Sequence, residues 1–400
     1  MLRHADNRTM PERWKNHREE MVMYFVMRKH LRKTGAGLMA VLVALVMLQG
    51  SAFPGRAFGE AETPENTNTT PAVVAEETEA PQSSAAPLQE ASAPAHTDDS
   101  AQPSSYVFRP KVCSAYMEEV FGKAMCEAWF HLVDTVMAGE DTFACPDQYT
   151  YDWVMGQFPS RCFPVLTELI DLAYDREHSV TDGIASFTYL VPREEAAKRI
   201  EAFAQQIQGI LNDALEDDYS DFEKAFALYD YFTNHYTYDY VTEERMYNTF
   251  VDYTETRRLF ETGTGICFEI ARAYSYLLMQ AGVDAATVMG GAHEWSIVRI
   301  NGVNYHVDPT FAINNQGSLA FFLMTDAQRE ATGYSKDGFT YISNYAQDHP
   351  HPDYTANDGT FEPLWDRQPE SFSPQENILR CWQYREGWEK DYLDYNYTGY

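Results

Sequence analysis

The chain has 400 residues, a formal net charge of -30 and 44% hydrophobic residues, with its 27 Tyr and 23 Phe mainly beyond residue 105. That length allows more than one domain, and the aromatic part can build a core. A body this anionic repels nucleic-acid phosphates and an anionic bilayer face, since both need basic patches, so nucleic acid is excluded as a partner while a basic peptide stays compatible.

Residues 1–56 carry the opposite bias, with nine Lys or Arg against four Asp or Glu up to Gly37. The basic stretch Arg28-Lys29-His30-Leu31-Arg32-Lys33 precedes an apolar run over 38–48, and the small residues Gly50, Ser51, Ala52 and Ala57 follow. This order is that of a secretory signal peptide. Retained and tilted, residues 36–53 would instead make a transmembrane anchor, giving N-terminal membrane association. Cleaved signal and retained anchor both stay open, as does the choice between Met1 and Met27 as the start. Either version puts the body outside the cytoplasm, secreted or anchored to the cell membrane, because the basic flank stays inside. Residues 57–104 form a linker rich in Ala, Pro, Thr, Glu and Ser, without Lys or Arg. Such a segment cannot bury enough apolar surface to repay ordering, so disorder is expected.

Residues 105–212 are predicted to be the mainly helical N-terminal part of the body. Apolar residues recur at three and four through Met117–Phe121 and 124–133, one face of a helix. Residues 163–170 suggest another helix, 184–191 a strand, and Pro192 the first turn of a helix over 193–211. Cys113, Cys126, Cys145 and Cys162 crowd this part. In an oxidising compartment they allow up to two disulfides, and otherwise they serve as small buried hydrophobes. No close Cys-x-x-Cys pair occurs, and His131, His235 and His306 form no ligand pattern, so neither a metal nor another cofactor is expected.

Residues 213–330 hold the informative pattern. A helix over 220–233 is followed by His235-Tyr236-Thr237-Tyr238-Asp239-Tyr240, and Thr262-Gly263-Thr264-Gly265-Ile266 then approaches Cys267 as a turn. Phe268, Ala271, Tyr274, Leu277 and Leu278 trace a helical stripe that stops near Gly282, so Cys267 falls in the first helical turn. The positive end of a helix dipole lowers a thiol pKa, and the free amides there can hold an oxyanion. Residues 285–289 read as a strand, Gly290-Gly291 as a turn and 293–300 as a second strand. Asn301-Gly302 is a hairpin signal that returns the chain through 303–308. With the turn at 301 and 302 the paired positions sum to 603, so Asp308 lies two residues from the position opposite His293, on the same face. Cys267 can then act as nucleophile, His293 as its proton partner and Asp308 as the group orienting the ring.

Gly265-Ile266-Cys267 opening a helix, His293-Glu294-Trp295, Tyr305-His306-Val307-Asp308-Pro309-Thr310 and Phe321-Phe322-Leu323-Met324-Thr325-Asp326 resemble the bacterial transglutaminase-like superfamily. The resemblance runs from about Leu228 to Asp326, one quarter of the chain. It implies an α+β fold with a papain-like transglutaminase core, in which a Cys-bearing helix packs on an antiparallel sheet. It also implies a catalytic triad of Cys267, His293 and Asp308 in a cysteine peptidase, amidase or acyltransferase. The substrate would be a peptide or protein amide, a cell-wall peptide among them. Relatives also include inactive members, so a noncatalytic binding or cell-surface assembly module is the alternative, and a Cys267–Cys381 disulfide would favour it. Tyr238 is the candidate oxyanion donor and Trp295 a candidate wall of the site. Glu294 stands where many relatives have Ala, and it matters to the histidine only if it points inward. Residues 331–400 are an aromatic-rich C-terminal extension, packed on the core or partly exposed.

Overall fold

The computed structural model describes residues 106–172, 179–249, 256–344, 351–386 and 388–400. The expected signal or anchor in 1–56 and the linker 57–104 lie outside them. Among the described residues no helix is long and apolar enough to cross a membrane.

Two reversals shape the centre of the fold. Asn301 and Gly302 take φ of 50° and 80°, the left-handed pair that a two-residue hairpin turn requires. Strands His293–Ile300 and Val303–Val307 therefore pair antiparallel, Ile300 with Val303, Ile297 with His306 and Ser296 with Val307, in the register expected. The preceding reversal falls at Gly291 and Ala292, with φ of 55° and 66°, one residue later than predicted. Gly290 is still in the ladder, opposite His293.

Gly290 is needed for a steric reason. A Cβ there would stand 2.8 Å from Cη2 and 3.2 Å from Cζ3 of Trp295. Trp295 is fully buried and cannot yield without disturbing its neighbours. Gly290→Ala is expected to cost about 1–3 kcal/mol of stability, the usual range for overpacking. An unchanged midpoint in urea unfolding would contradict the close approach.

The three antiparallel strands Asp284–Gly290, His293–Ile300 and Val303–Val307 form a sheet with His293–Ile300 in the middle. The helix Cys267–Gln280 packs on one face, and the two faces of the middle strand divide by alternation. Ser296 points to the helix, donating to the Ala271 carbonyl at 3.1 Å. Trp295 and Ile297 point the other way, into an apolar cluster with Tyr116, Val288, Phe339 and Tyr354. Burial of each large side chain here contributes roughly 1.5–3 kcal/mol. The fold is the expected α+β arrangement, a Cys-bearing helix on an antiparallel sheet after a mainly helical region.

In that helical region Gly122, at φ 80°, splits the predicted stripe into helices Ala115–Phe121 and Lys123–Met137. Residues 163–170 form only one helical turn, Leu166–Leu169, and Ile170 bridges to Tyr189 instead. Phe163, Val165, Leu166, Leu169 and Ile170 are all fully buried and only Thr167 and Glu168 are partly exposed, and a short apolar run of this kind does not tell helix from other buried chain. Of 184–191 only Ile184–Ser186 is strand, paired with Thr142–Ala144 and Val180–Thr181. Helix Arg193–Ala214 starts directly after Pro192. Helix Asp221–His235 is fixed by a capping box in which Ser220 Oγ accepts from the Glu223 amide and the Glu223 carboxylate accepts from the Ser220 amide.

The C-terminal extension adds the antiparallel strands Gln368–Ser373, Ile378–Tyr384 and Lys390–Asn396. Its aromatics divide. Tyr397 is buried against Phe222, ring centroids 4.5 Å apart, and donates its hydroxyl to Glu223, whereas Trp388 is 82% exposed.

Candidate active site

The loop before Cys267 is held by charge and by one glycine. Thr264–Gly265 pairs in parallel with Thr237–Tyr238, which brings Tyr238 beside the cysteine. A Cβ on Gly265 would sit 2.8 Å from Leu259 Cδ1 and 3.3 Å from Glu269 Oε2, so the chain passes there only as glycine. The buried Glu269 carboxylate accepts from the Ile266 amide at 2.9 Å, and Arg258 clamps Glu269 and Asp239 together. Cys267 is thereby the first helical residue. The first helical bonds run from the Glu269 and Ile270 amides to the Ile266 carbonyl, so the Cys267 and Phe268 amides precede them.

The environment of the sulfur differs from the sequence expectation of a lowered pKa. Cys267 is 5% exposed, packed with Ile266, Phe268, Tyr238, Met246 and Met289. Burial pushes its thiol well up, the Glu294 backbone amide on the sulfur opposes this, and Glu243, Glu294 and Asp308 add to the rise. Loss of water is the largest influence on the sulfur, and it favours the neutral thiol.

His293 opens the middle strand. Its Nε2 lies 2.7 Å from Asp308 Oδ2, and both side chains are buried. This hydrogen bond fixes ring orientation and leaves Nδ1 outside it. Asp308 sits one residue beyond its strand, capping helix Pro309–Asn314 by accepting the Phe311 amide at 3.2 Å. Burial disfavours its ionised form, yet His293, Arg329 and the Phe311 amide together hold its carboxyl below the usual range.

Arg329 was not foreseen from sequence. It is fully buried, with Nη2 3.0 Å from Asp308 Oδ2 as an ion pair whose angle misses a hydrogen bond. Its guanidinium lies 4.1 Å from the Trp295 ring centroid and 4.2 Å from that of Tyr334. The cation is thus stabilised by aromatic faces as well as by the carboxylate it holds.

Trp295 has no exposed surface, so it backs the site rather than lining an open cleft. Its Nε1 donates to His306 Nδ1 at 3.0 Å, His306 Nε2 faces Asp326 Oδ1 at 2.9 Å, and Lys336 pairs with Asp326. Since the indole only donates, His306 Nδ1 accepts and Nε2 carries the proton. Burial holds the His306 pKa below its ordinary value, with Asp326 opposing. A histidine whose folded pKa is depressed contributes stability above its unfolded pKa, about 6.5, that is lost as pH falls towards the folded value. The melting temperature should therefore drop below about pH 6.5, and His306→Gln should flatten that slope. Parallel slopes in both proteins would contradict the assignment.

Glu294 points to the helix face, where Arg272 holds its carboxylate with two bonds of 3.0 and 3.1 Å. It is therefore turned away from the imidazole face of the strand. The Tyr238 hydroxyl donates to Glu243 at 2.9 Å. Cys267 and Cys381 are free thiols in separate clusters, the latter against the Leu393 carbonyl.

Residues 202–321 match the family model described as the transglutaminase-like superfamily. The match spans the helix before the cysteine loop, the Cys267 helix, the three-stranded sheet and Asp308. Comparison with individual curated proteins finds no match.

Proposed function

From a chain whose residues 202–321 form a transglutaminase-like superfamily domain, we propose an extracytoplasmic cysteine enzyme that cleaves a peptide or protein amide through Cys267, His293 and Asp308. The observation that carries the reading is the 2.7 Å bond from His293 to the ionised Asp308, at a strand end whose next amide reaches the sulfur of Cys267. The superfamily generally contains cysteine-dependent enzymes, which fits this arrangement.

In the proposed reaction His293 takes the thiol proton as sulfur attacks the amide carbonyl. A C–S bond forms, and the Cys267 amide hydrogen-bonds the oxyanion. The C–N bond then breaks, the leaving amine takes the proton from the imidazolium, and a thioester remains. Water, deprotonated by His293, attacks that thioester and releases the thiol and a carboxylic acid. Asp308 stabilises the imidazolium throughout. Export rests on the order of basic, apolar and small residues in 1–56, and a cell-wall peptide is the substrate most in keeping with that location.

A second reading, a noncatalytic binding or assembly module, draws on one observation: Cys267 is 5% exposed, with Tyr238 and Met246 packed against its cluster. Product analysis separates the two. Incubation with cell-wall stem peptides and glutamine-containing peptides in ¹⁸O water plus a primary amine should yield ¹⁸O-labelled acid. A dominant amine adduct would reassign the reaction to crosslinking. No turnover of any peptide amide would favour the noncatalytic module.

A further inference from the structure

Three sulfurs meet away from the site just described. Cys113 lies in the extended segment before helix Ala115–Phe121, whose entry is fixed by Ser114 capping and by Trp129 Nε1 donating to the Val112 carbonyl at 3.0 Å. Gly122, at φ 80°, then turns the chain back, so that Cys126 in the first turn of the next helix returns to Cys113. The two sulfurs stand 2.9 Å apart. That is less than an ångström beyond a covalent S–S bond of about 2.05 Å. Cys162 interacts with Cys113 from another element, the turn Pro159–Cys162, and contacts Met117 Sδ at 3.7 Å. Cys145 and Cys381 face the Asp147 and Leu393 carbonyls instead.

Spacing in sequence left open which of these thiols pair, and the fold selects among them. Cys126 and Cys162 are 2% and 0% exposed, whereas Cys113 is only half-buried, so an external reagent reaches Cys113 first. Among the described residues no group of three or more His, Cys, Asp and Glu side chains is arranged to hold a metal, so the cluster does not have the geometry of a metal centre.

We propose that Cys113 and Cys126 are a redox-active pair that closes to a disulfide, with Cys113 as the entry thiol, Cys162 as the alternative partner and an external disulfide as oxidant. Cys113 gives up its proton as its sulfur attacks one sulfur of that disulfide, and the expelled thiolate takes the proton up as a thiol, leaving a mixed disulfide. Cys126 then attacks the Cys113 sulfur and expels the second external thiol. Two protein thiols are oxidised, one external disulfide is reduced to two thiols, and the proton count balances. The proposal does not depend on whether Cys267 is catalytic.

The test equilibrates the full-length chain with oxidised glutathione, then alkylates it under denaturing conditions. The expected result is four modified cysteines out of six, a mass lower by two hydrogens before alkylation and a cross-linked peptide joining Cys113 to Cys126. In Cys126→Ala the cross-link should move to Cys113 and Cys162. Alkylation of all six thiols, or a cross-link between other cysteines, would overturn the pairing. Protection from alkylation without loss of two hydrogens would mean a bound soft metal and would equally overturn it. A Cys126→Ala protein with no cross-link at Cys162 would remove the role given to that thiol.

Discussion

Replacing Cys267 with Ala should lower amide turnover by about 10⁴–10⁶-fold, the loss seen when a nucleophile that acts as one unit with its base is deleted. The folded state should barely change. Position 267 is the first residue of its helix, Ala is the best helix former, and the substitution removes one sulfur from a small apolar cluster. Cys267→Ser sharpens the test. Its hydroxyl is close in size and can accept from the Glu294 amide, but it is a far weaker acid than a thiol. A serine protein as active as the wild type would mean that sulfur nucleophilicity is not used. The raised thiol pKa adds a condition: the sulfur ionises only as its proton passes to His293, so simple alkylation of the resting enzyme should be slow near neutral pH.

Asp308→Asn should fail twice, for separable reasons. Activity should fall by about 10⁴-fold, because an amide at this position stabilises the wrong imidazole tautomer and no longer balances the imidazolium. Stability should fall by about 3–5 kcal/mol, because Arg329 would then carry a fully buried charge without its carboxylate. The double variant Asp308→Asn with Arg329→Met separates the two. Methionine fills the space between Trp295 and Tyr334 without a charge, so the unfolding midpoint should recover most of the loss while turnover stays low. If the double variant remained as unstable as Asp308→Asn, the ion pair would not be the source of the destabilisation. If its turnover recovered with its stability, Asp308 would be structural only.

The parts legible in the sequence were those fixed by local chemistry. Asn301 and Gly302 set a turn, the turn set the register, and the register put Asp308 on the face of His293. Gly265 before Ile266 and Cys267 marked a helix start, and the structure adds that a side chain at 265 would collide with Leu259 and Glu269. Glu294 follows an imidazole-face residue in its strand, and the structure turns it to Arg272, as strand alternation requires. What stayed hidden depended on contacts distant in sequence. Arg329 lies in the short polar helix Asp326–Ala331, which carries no apolar stripe and so reads as surface. Only the packing of Trp295, Tyr334 and Asp308 around it makes it a buried cation. The burial of Cys267 was likewise illegible, since the helix start is local while Tyr238, Met246 and Met289, which pack on its cluster, come from elsewhere in the chain. Residues 163–170 differ for another reason: a short, mostly buried apolar run has too weak an amphipathic signature to distinguish helix from irregular chain.

The most direct measurement is intact-mass labelling of the reduced protein with a peptide amide analogue bearing a thiol-reactive group at the carbonyl position. One adduct per chain should form, mapped to Cys267, absent in Cys267→Ala and slowed about 10²–10⁴-fold in His293→Gln. Equal labelling of Cys267→Ala, or adducts spread over the remaining five cysteines at the same rate, would contradict the account.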